Sequence, residues 1–199
     1  LGSWTAVTRG LFWDNFLTGT IPSELGTWTS MNDFGVSQNQ LTGPIPSELG
    51  TWTSITNAQF YENSLTGTIP SDLGVMTAIE SFGVSGNELT GSIPSELGSW
   101  IRIKNTQFYD NLLTGTIPSE LGLWTSMKDF GISGNQLTGS IPSELGSWTA
   151  VTRGFFWDNF LTGIIPSQLG LWTSMNDFGI LQNQIVGSIP SELGRWTSI

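Results

Sequence analysis

The sequence contains neither cysteine nor histidine. The lack of cysteine excludes disulfides and thiolate metal sites. The lack of histidine excludes Ser-His-Asp triads, imidazole zinc sites and imidazole acid–base chemistry. Positive charge is also scarce, because six Lys and Arg stand against 16 Asp and Glu, for a net charge of −10. So few cations, scattered along the chain, exclude the basic patch that nucleic acid or an anionic membrane surface requires. No apolar run approaches the roughly 20 residues of a membrane span, so we expect no membrane insertion in this segment.

What the sequence does contain is one motif repeated every 24 residues without insertion. A Leu-Gly pair marks each unit, at Leu1, Leu25, Leu49, Leu73, Leu97, Leu121, Leu145, Leu169 and Leu193. A fixed period of this length predicts a solenoid, whose units bury their apolar sides only by stacking on their neighbours. We therefore expect a single array of about eight coils over residues 1–199. Both ends fall inside a repeat and neither resembles a polar cap, which favours an uncapped fragment or ends covered by another molecule.

Each unit combines a strand pattern with a helical turn. The alternation around Phe34 and Val36 predicts a strand with both side chains inward. Asn39 follows, and Asn recurs at this place throughout, which fits a ladder of side-chain amides bonded to the backbone of a buried turn. Further on, Pro46 is expected to begin a helical turn, with Glu48 near its electropositive start and Leu-Gly at its end.

These residues resemble the plant-type leucine-rich repeat family, whose pattern LxxLxxLxLxxNxLTGxIPxxLG covers the whole chain. The resemblance implies a right-handed α/β solenoid with a parallel β-sheet on the concave side. It also implies a second short sheet on the flank and short 3-10 or helical turns on the convex side. A non-enzymatic recognition or structural role, extracellular or at the cell surface, is implied as well. The chain departs from the family because Trp replaces Leu in most units, from Trp4 to Trp196, with Met76 interrupting the series.

Two kinds of unit alternate, which doubles the period to 48 residues. In one kind a small inward residue precedes Phe, as at Ala58 and Phe60. In the other Phe comes first, as at Phe34 and Val36. Neighbouring coils would then place a large side chain against a small one, which fills a close-packed interior without strain. We predict that Ala58→Phe overpacks the core.

The outward strand positions alternate as well. One kind of unit presents an aromatic residue followed by an acid, and the other presents Gly and Ser. The candidate ligand-binding residues are the aromatic Trp13, Tyr61, Tyr109 and Trp157 and the acidic Asp14, Glu62, Asp110 and Asp158. Because adjacent strands lie ~4.8 Å apart, successive aromatic rings are expected about 9.6 Å apart on the concave face.

Three interpretations of this aromatic face stay open. The rings cover the neighbouring Gly as outer packing. Alternatively, they stack the sugars of an extended β-linked glycan, with the acids accepting hydroxyls. Finally, the face binds a protein or a second copy, since contiguous exposed aromatics mark interaction sites. Residues from Ser3 recur from Ser147, and such a duplicated, uncapped array favours a fibre or surface-layer component that stacks end to end. A further alternative is ice binding through Thr-Gly-Thr segments such as Thr66–Thr68.

The acids do not indicate catalysis. Asp14 and Glu62 would lie ~9.6 Å apart, near the upper limit for an inverting carboxylate pair. However, every doubled unit carries the same acid, whereas a catalytic site needs a unique environment. We therefore expect no catalytic residues, no cofactor and no metal. The expected partner is a protein, a polysaccharide or a second copy of the chain.

Overall fold

A computed structural model describes residues 6–197, so Leu1, Ser3, Trp4 and Ile199 lie outside the described residues. Three-residue strands recur once per coil and pair in parallel, in chain order, to form one eight-stranded sheet, the main sheet. Its strands are Arg9–Leu11, Asp33–Gly35, Asn57–Gln59, Ser81–Gly83, Asn105–Gln107, Asp129–Gly131, Arg153–Phe155 and Asp177–Gly179. The in-register pairing of coils 24 residues apart confirms the solenoid.

The second sheet is shorter than the repeat alone suggests. Its three parallel strands are Thr18–Thr20, Gln40–Gly43 and Ser64–Leu65. Later coils continue it as isolated parallel bridges, Thr68 to Thr90 and Thr116 to Thr138. The flanking sheet is thus regular over the first three coils and intermittent beyond them.

A five-residue 3-10 helix follows in each coil. The helices are Ser23–Thr27, Ser47–Thr51, Ser71–Val75, Ser95–Ser99, Ser119–Leu123, Ser143–Ser147, Ser167–Leu171 and Ser191–Arg195. The sequence predicts that proline begins this helix, but in the structure proline precedes the helix as its N-cap. Pro118, for example, is extended, with φ −65° and ψ 134°. The acid stands in the first turn, as expected.

The Leu-Gly pair lies inside this helix rather than at its end, and the reason for the glycine is close packing. A Cβ placed on Gly122 would lie 2.8 Å from the carbonyl oxygen of Glu144 in the next coil. The same clash is found from coil to coil, so a side chain here would push adjacent helices apart. The glycine column therefore sets how closely the coils stack.

The asparagine ladder is confirmed. The side-chain nitrogen of Asn111 donates to the carbonyl oxygens of Phe108 and Tyr109 in its own coil and of Val84 in the coil before. Its side-chain oxygen accepts a 3.0 Å hydrogen bond from the backbone nitrogen of Leu89. One buried amide thus satisfies four backbone groups and joins two coils, which explains why the residue recurs in every unit.

Tryptophan replaces leucine because the indole also hydrogen-bonds. Nε1 of Trp124 donates to the carbonyl oxygen of Leu97 at 2.8 Å, and its ring stacks on Trp100 and Trp148 with centroids 6.1 and 6.2 Å apart. The side chain of Trp124 is fully buried. A column of indoles, interrupted at Met76, therefore forms one wall of the core and links most of the 3-10 helices to the one before.

The predicted alternation of large and small core residues is also confirmed. In the main sheet Phe34 pairs with Ala58, and Ala58 pairs with Phe82. Phe60, two residues later and at the next inward position, has its ring centroid 5.7 Å from that of Phe34 and 6.0 Å from that of Phe82. Thr106 takes the small position in a later coil, and its buried Oγ1 has no hydrogen-bond partner among the described residues.

Candidate functional site

All eight predicted site residues lie on the outward face of the main sheet or at its edge. Backbone hydrogen bonds continue the pairing beyond the strand ends, since Gly86 N donates to Tyr109 O and Asp110 N donates to Ser133 O. Tyr109 therefore lies between Ser85 and Ser133 across the sheet. The same pairing places the other aromatics in one row across the coils, and we call Trp13, Tyr61, Tyr109 and Trp157 the aromatic row.

Rings of the aromatic row lie over the small outward residues of neighbouring coils. Ser85 and Ser133 are only 2% exposed although they point outward. A Cβ placed on Gly131 would lie 3.1 Å from Cδ1 of Tyr109, and one on Gly179 would lie 2.9 Å from Cδ1 of Trp157. The rings thus pack over the small residues of neighbouring coils, which supports the interpretation as outer packing.

The rings are nevertheless not buried. Trp13 is 53% exposed, and Tyr61, Tyr109 and Trp157 are half-buried. Their polar atoms make no hydrogen bond to residues 6–197 (the hydroxyls of Tyr61 and Tyr109 and the indole nitrogens of Trp13 and Trp157). The rings of Trp13, Tyr109 and Trp157 therefore contact the sheet on one side, while the exposed side remains available for a ligand.

The predicted acids stand at a strained turn that the sequence analysis missed. Asp14, Glu62, Asp110 and Asp158 have φ of 56°, 53°, 54° and 54°, in the left-handed region that L side chains rarely adopt. Gly86 and Gly134 take the same place in alternate coils, with φ of 61° and 62°. Glycine in that column was the signal in the sequence, because it marks a position that needs positive φ. Asp is among the residues that tolerate it best.

These four carboxylates project from the edge of the sheet without partners. None of them accepts a hydrogen bond or forms an ion pair with any of residues 6–197. They also do not gather into a metal site, since the described residues include no group of three or more potential acidic ligands. Each row residue therefore has one uncompensated negative charge beside it.

The opposite edge of the main sheet holds most of the few cations, and these are largely paired. Arg9 bonds Asp33 at 3.2 Å, Lys104 bonds Glu80 at 2.6 Å and Arg153 bonds Asp129 at 2.8 Å. These pairs join neighbouring coils, because the partners are 24 residues apart. Charge on the face is thus divided, with neutralised pairs at one edge and free carboxylates at the other.

The ion pairs made by Arg153 and Lys104 lower the pKa of their acids. The hydrogen bond from the Arg153 guanidinium lowers the pKa of Asp129 below its ordinary value, against a smaller opposing effect of burial. The hydrogen bond from Lys104 likewise lowers the pKa of Glu80. Asp129 in turn raises the pKa of Arg153. Both acids therefore stay charged under ordinary conditions.

A long groove of about 1890 Å³ runs along the flank of the later coils, from Thr68 to Glu192, beside the 3-10 helices. Threonine or serine, proline and the helix-start acids line it, for example Thr116, Pro118 and Glu120. The threonines of this flank are exposed, but Thr90 and Thr138 donate their hydroxyls to backbone carbonyls of the preceding coil. The groove has the same period as the solenoid, so no residue in it stands out as a candidate binding residue.

With this geometry established, comparison with known proteins identifies the repeats. The Leucine Rich Repeat family model matches residues 78–100 and 126–148. The ectodomain of the plant membrane receptor kinase GASSHO1/SCHENGEN3 from Arabidopsis thaliana, solved with CASPARIAN STRIP INTEGRITY FACTOR 2, is 36% identical with a TM-score of 0.94. That alignment covers 95% of this chain and 23% of the receptor chain. No curated protein sequence matches significantly.

Two further structures place this likeness in context. The plant peptide hormone receptor RGFR1 in complex with RGF2 is 26% identical over 98% of this chain and 35% of its own, with a TM-score of 0.79. A plant ice-binding protein is 22% identical over 91% of this chain and 74% of its own, with a TM-score of 0.67, which shows the common fold alone.

The repeats of this chain are leucine-rich repeats of the plant type. The array is similar to ectodomains that bind other molecules, and it spans about a quarter to a third of the two receptor chains. Within residues 6–197 there is no helix with the length and apolar character needed to cross a membrane.

Proposed function

We propose that this array is a non-catalytic, extracellular recognition module that binds an extended peptide segment of a protein partner along the aromatic row. The observation that carries the proposal is the half-burial of the rings. Packing over glycine and serine fixes their orientation in advance, and preorganised aromatic side chains are efficient anchors because little entropy is lost on binding. The four acids of the adjacent edge would complement basic groups of the partner.

The surroundings of the row favour a peptide over a glycan. Leu11 and Leu181 lie exposed beside the row, at 44% and 60%, and Phe155 is half-buried there. Aliphatic side chains add apolar contact area, which suits the side chains of a peptide better than the hydroxyl groups of a sugar. The likeness to peptide-hormone receptors, with the RGFR1 structure as an example, supports the same choice.

The experiment is selection of binding peptides from a random dodecapeptide library displayed on phage. Selected peptides are synthesised and titrated calorimetrically against the chain and against a variant with all four row residues changed to Ala. We expect the variant to lose at least tenfold in affinity while keeping its circular dichroism spectrum. Light scattering on the free chain, run first, reports whether copies associate with one another.

The matched control is Leu123→Ala. Leu123 is 59% exposed and apolar, but it ends a 3-10 helix away from the main sheet. It should leave peptide affinity unchanged. Equal affinities for the original chain and the four-residue variant would overturn the proposal. Retention of an extended β-linked glycan in place of peptides would assign the face to polysaccharide.

Ice binding through the flank is a second candidate. A row of exposed threonines favours it, one from each of seven coils at Thr18, Thr42, Thr66, Thr90, Thr114, Thr138 and Thr162. The parallel row two residues on is less regular, since Pro44 and Ile164 interrupt it. Thermal hysteresis that disappears in the double variant Thr66→Leu, Thr68→Leu would establish this function. Its absence in the original chain would exclude it.

A further inference from the structure

Two places on the main sheet are near copies of each other. The sequence Phe-Trp-Asp-Asn-Phe-Leu-Thr-Gly occupies residues 12–19 and again 156–163, six coils further on. In each copy an apolar outward residue precedes Phe-Trp. We call the pair Leu11 and Trp13 the first patch and the pair Phe155 and Trp157 the second patch.

The two patches contact equivalent glycines of the next coil. A Cβ placed on Gly35 would touch Cδ1 of Trp13 at 3.5 Å and Cδ2 of Leu11 at 3.7 Å. One placed on Gly179 would touch the corresponding atoms, Cδ1 of Trp157 at 2.9 Å and Cδ1 of Phe155 at 3.6 Å. In both copies two apolar side chains therefore meet over a glycine of the next coil.

The coils between the patches do not repeat this arrangement. Gln59 and Gln107 stand where the patches have Leu11 and Phe155, and both glutamines lie toward Gly83. Gln59 is held by hydrogen bonds to Asn57 and Ser81. The middle of the face is therefore more polar, and the apolar surface is concentrated at two separate places.

Beyond each patch the turn carries a further exposed aromatic residue. Phe16 is 86% exposed and Phe160 is 51% exposed. The intervening coils place Ser64 and Leu112 there. Both patches thus continue onto the edge of the sheet in the same way.

The charge beside each patch is the same. Asp14 and Asp158 have no partner among residues 6–197, whereas Arg9 and Arg153 are neutralised by Asp33 and Asp129. The uncompensated charge next to both patches is therefore negative. A complementary ligand would place a basic residue beside an apolar one.

We propose that the two patches are two similar docking sites for one kind of peptide segment, an inference that rests on the proposed function. The segment carries a large apolar or aromatic side chain next to Lys or Arg. The apolar side chain packs against the patch, and the basic side chain pairs with Asp14 or Asp158. Because adjacent strands lie ~4.8 Å apart, the two sites are about 29 Å apart. A partner with two such segments would bind both at once and gain avidity.

The surroundings of the two sites differ. Leu181, 60% exposed, pairs beside Trp157, whereas the corresponding neighbour of Trp13 is the buried Ser37. The first patch is itself the more exposed, since both of its residues are exposed while both residues of the second patch are half-buried. The variant Leu181→Ser should therefore weaken binding at the second patch and leave the first unchanged.

The test is the stoichiometry of calorimetric titration with the synthetic peptides selected from the phage library. We expect two peptides per chain, one peptide after either Trp13→Ala or Trp157→Ala, and none after both. The control Leu123→Ala, away from the main sheet, should still bind two. Asn tolerates positive φ, so Asp14→Asn and Asp158→Asn test charge without disturbing the turn. Each should weaken its own site about fivefold, the loss of one exposed ion pair.

The outcomes separate the two proposals. One peptide per chain, abolished by Tyr61→Ala with Tyr109→Ala and unaffected by Trp157→Ala, would overturn the paired sites and leave recognition by the aromatic row intact. Two peptides per chain whose binding ignores both tryptophans would also overturn the paired sites. Failure to select any peptide sensitive to the four-residue variant would overturn both proposals.

Discussion

The interior of this solenoid and the outward face of its main sheet follow different rules. Interior columns repeat almost unchanged, because each residue supports the coil before it, as Trp124 does for the carbonyl of Leu97. The outward column that contains Gln59, Gly83 and Phe155 changes from coil to coil. Packing of each coil against the next therefore enforces the 24-residue period. Departures from the period are therefore the places to search for binding.

Removing one interior amide should break the fold most. Asn111→Ala leaves the backbone nitrogen of Leu89 without its buried partner. The carbonyls of Val84 and Phe108 each lose one of two hydrogen bonds and keep the other, from another asparagine of the ladder. Because an unsatisfied buried group costs about 1–3 kcal/mol, we expect a loss of about 3 kcal/mol in the free energy of unfolding. Urea denaturation followed by tryptophan fluorescence measures it.

The control belongs to the same column. Asn15→Ala removes two hydrogen bonds, to the carbonyls of Phe12 and Trp13, but that residue is exposed and water replaces them. A loss of roughly 1 kcal/mol is expected there. Similar losses for Asn111 and Asn15 would show that burial does not govern the ladder.

Adding volume to the interior should be the next most damaging change. Ala58 is fully buried and pairs with Phe34 and Phe82, so Ala58→Phe places three large side chains side by side. Overpacking of this kind costs typically 1–3 kcal/mol. Gln107→Phe, a change at an exposed outward position, copies the natural arrangement at Phe155 and should alter stability by less than about 0.5 kcal/mol. A melting temperature unaffected by Ala58→Phe would contradict the contrast between the two faces.

The same contrast explains what the sequence allowed us to predict. The asparagine ladder, the tryptophan column and the alternation at Ala58 and Phe60 were predictable, because interior packing repeats every coil or every second coil. The function of the Leu-Gly glycine was not, because the clash at Gly122 is with a backbone atom of the next coil. The ion pair of Arg153 with Asp129 was also missed, since Asp177 lies on its other side in the same register and sequence alone does not choose between them. The candidate site residues were predictable as a set, but their half-burial depends on contacts between coils.

A smaller change, this time a gain in stability, is expected at the buried position where a polar side chain interrupts the apolar interior. Thr106 occupies the small core position with a buried hydroxyl that finds no partner in the described part of the chain. Thr106→Val keeps the shape and removes the unsatisfied polar atom, so we expect a gain of roughly 1 kcal/mol in the free energy of unfolding. Thr106→Ser keeps the hydroxyl and should give no gain. A loss of stability in the valine variant would mean that the hydroxyl is satisfied in solution.

The smallest effect is expected on the outward face itself, from pH. Arg153 lowers the pKa of Asp129 in the folded chain below the unfolded value of about 3.9. A depressed folded pKa means that the pair stabilises the fold fully above about pH 5, and that this contribution disappears as pH falls below 3.9 through the folded pKa. Because Asp129 is partly solvated, the contribution should be below about 1 kcal/mol. The difference in unfolding free energy between the original chain and Asp129→Asn should therefore be measurable at pH 7 and should shrink as pH falls below about 3.9. Glu144→Gln, on an exposed 3-10 helix, should show no comparable difference at pH 7. A difference for Asp129→Asn that persists unchanged at low pH would assign the effect to packing of the side chain rather than to its charge.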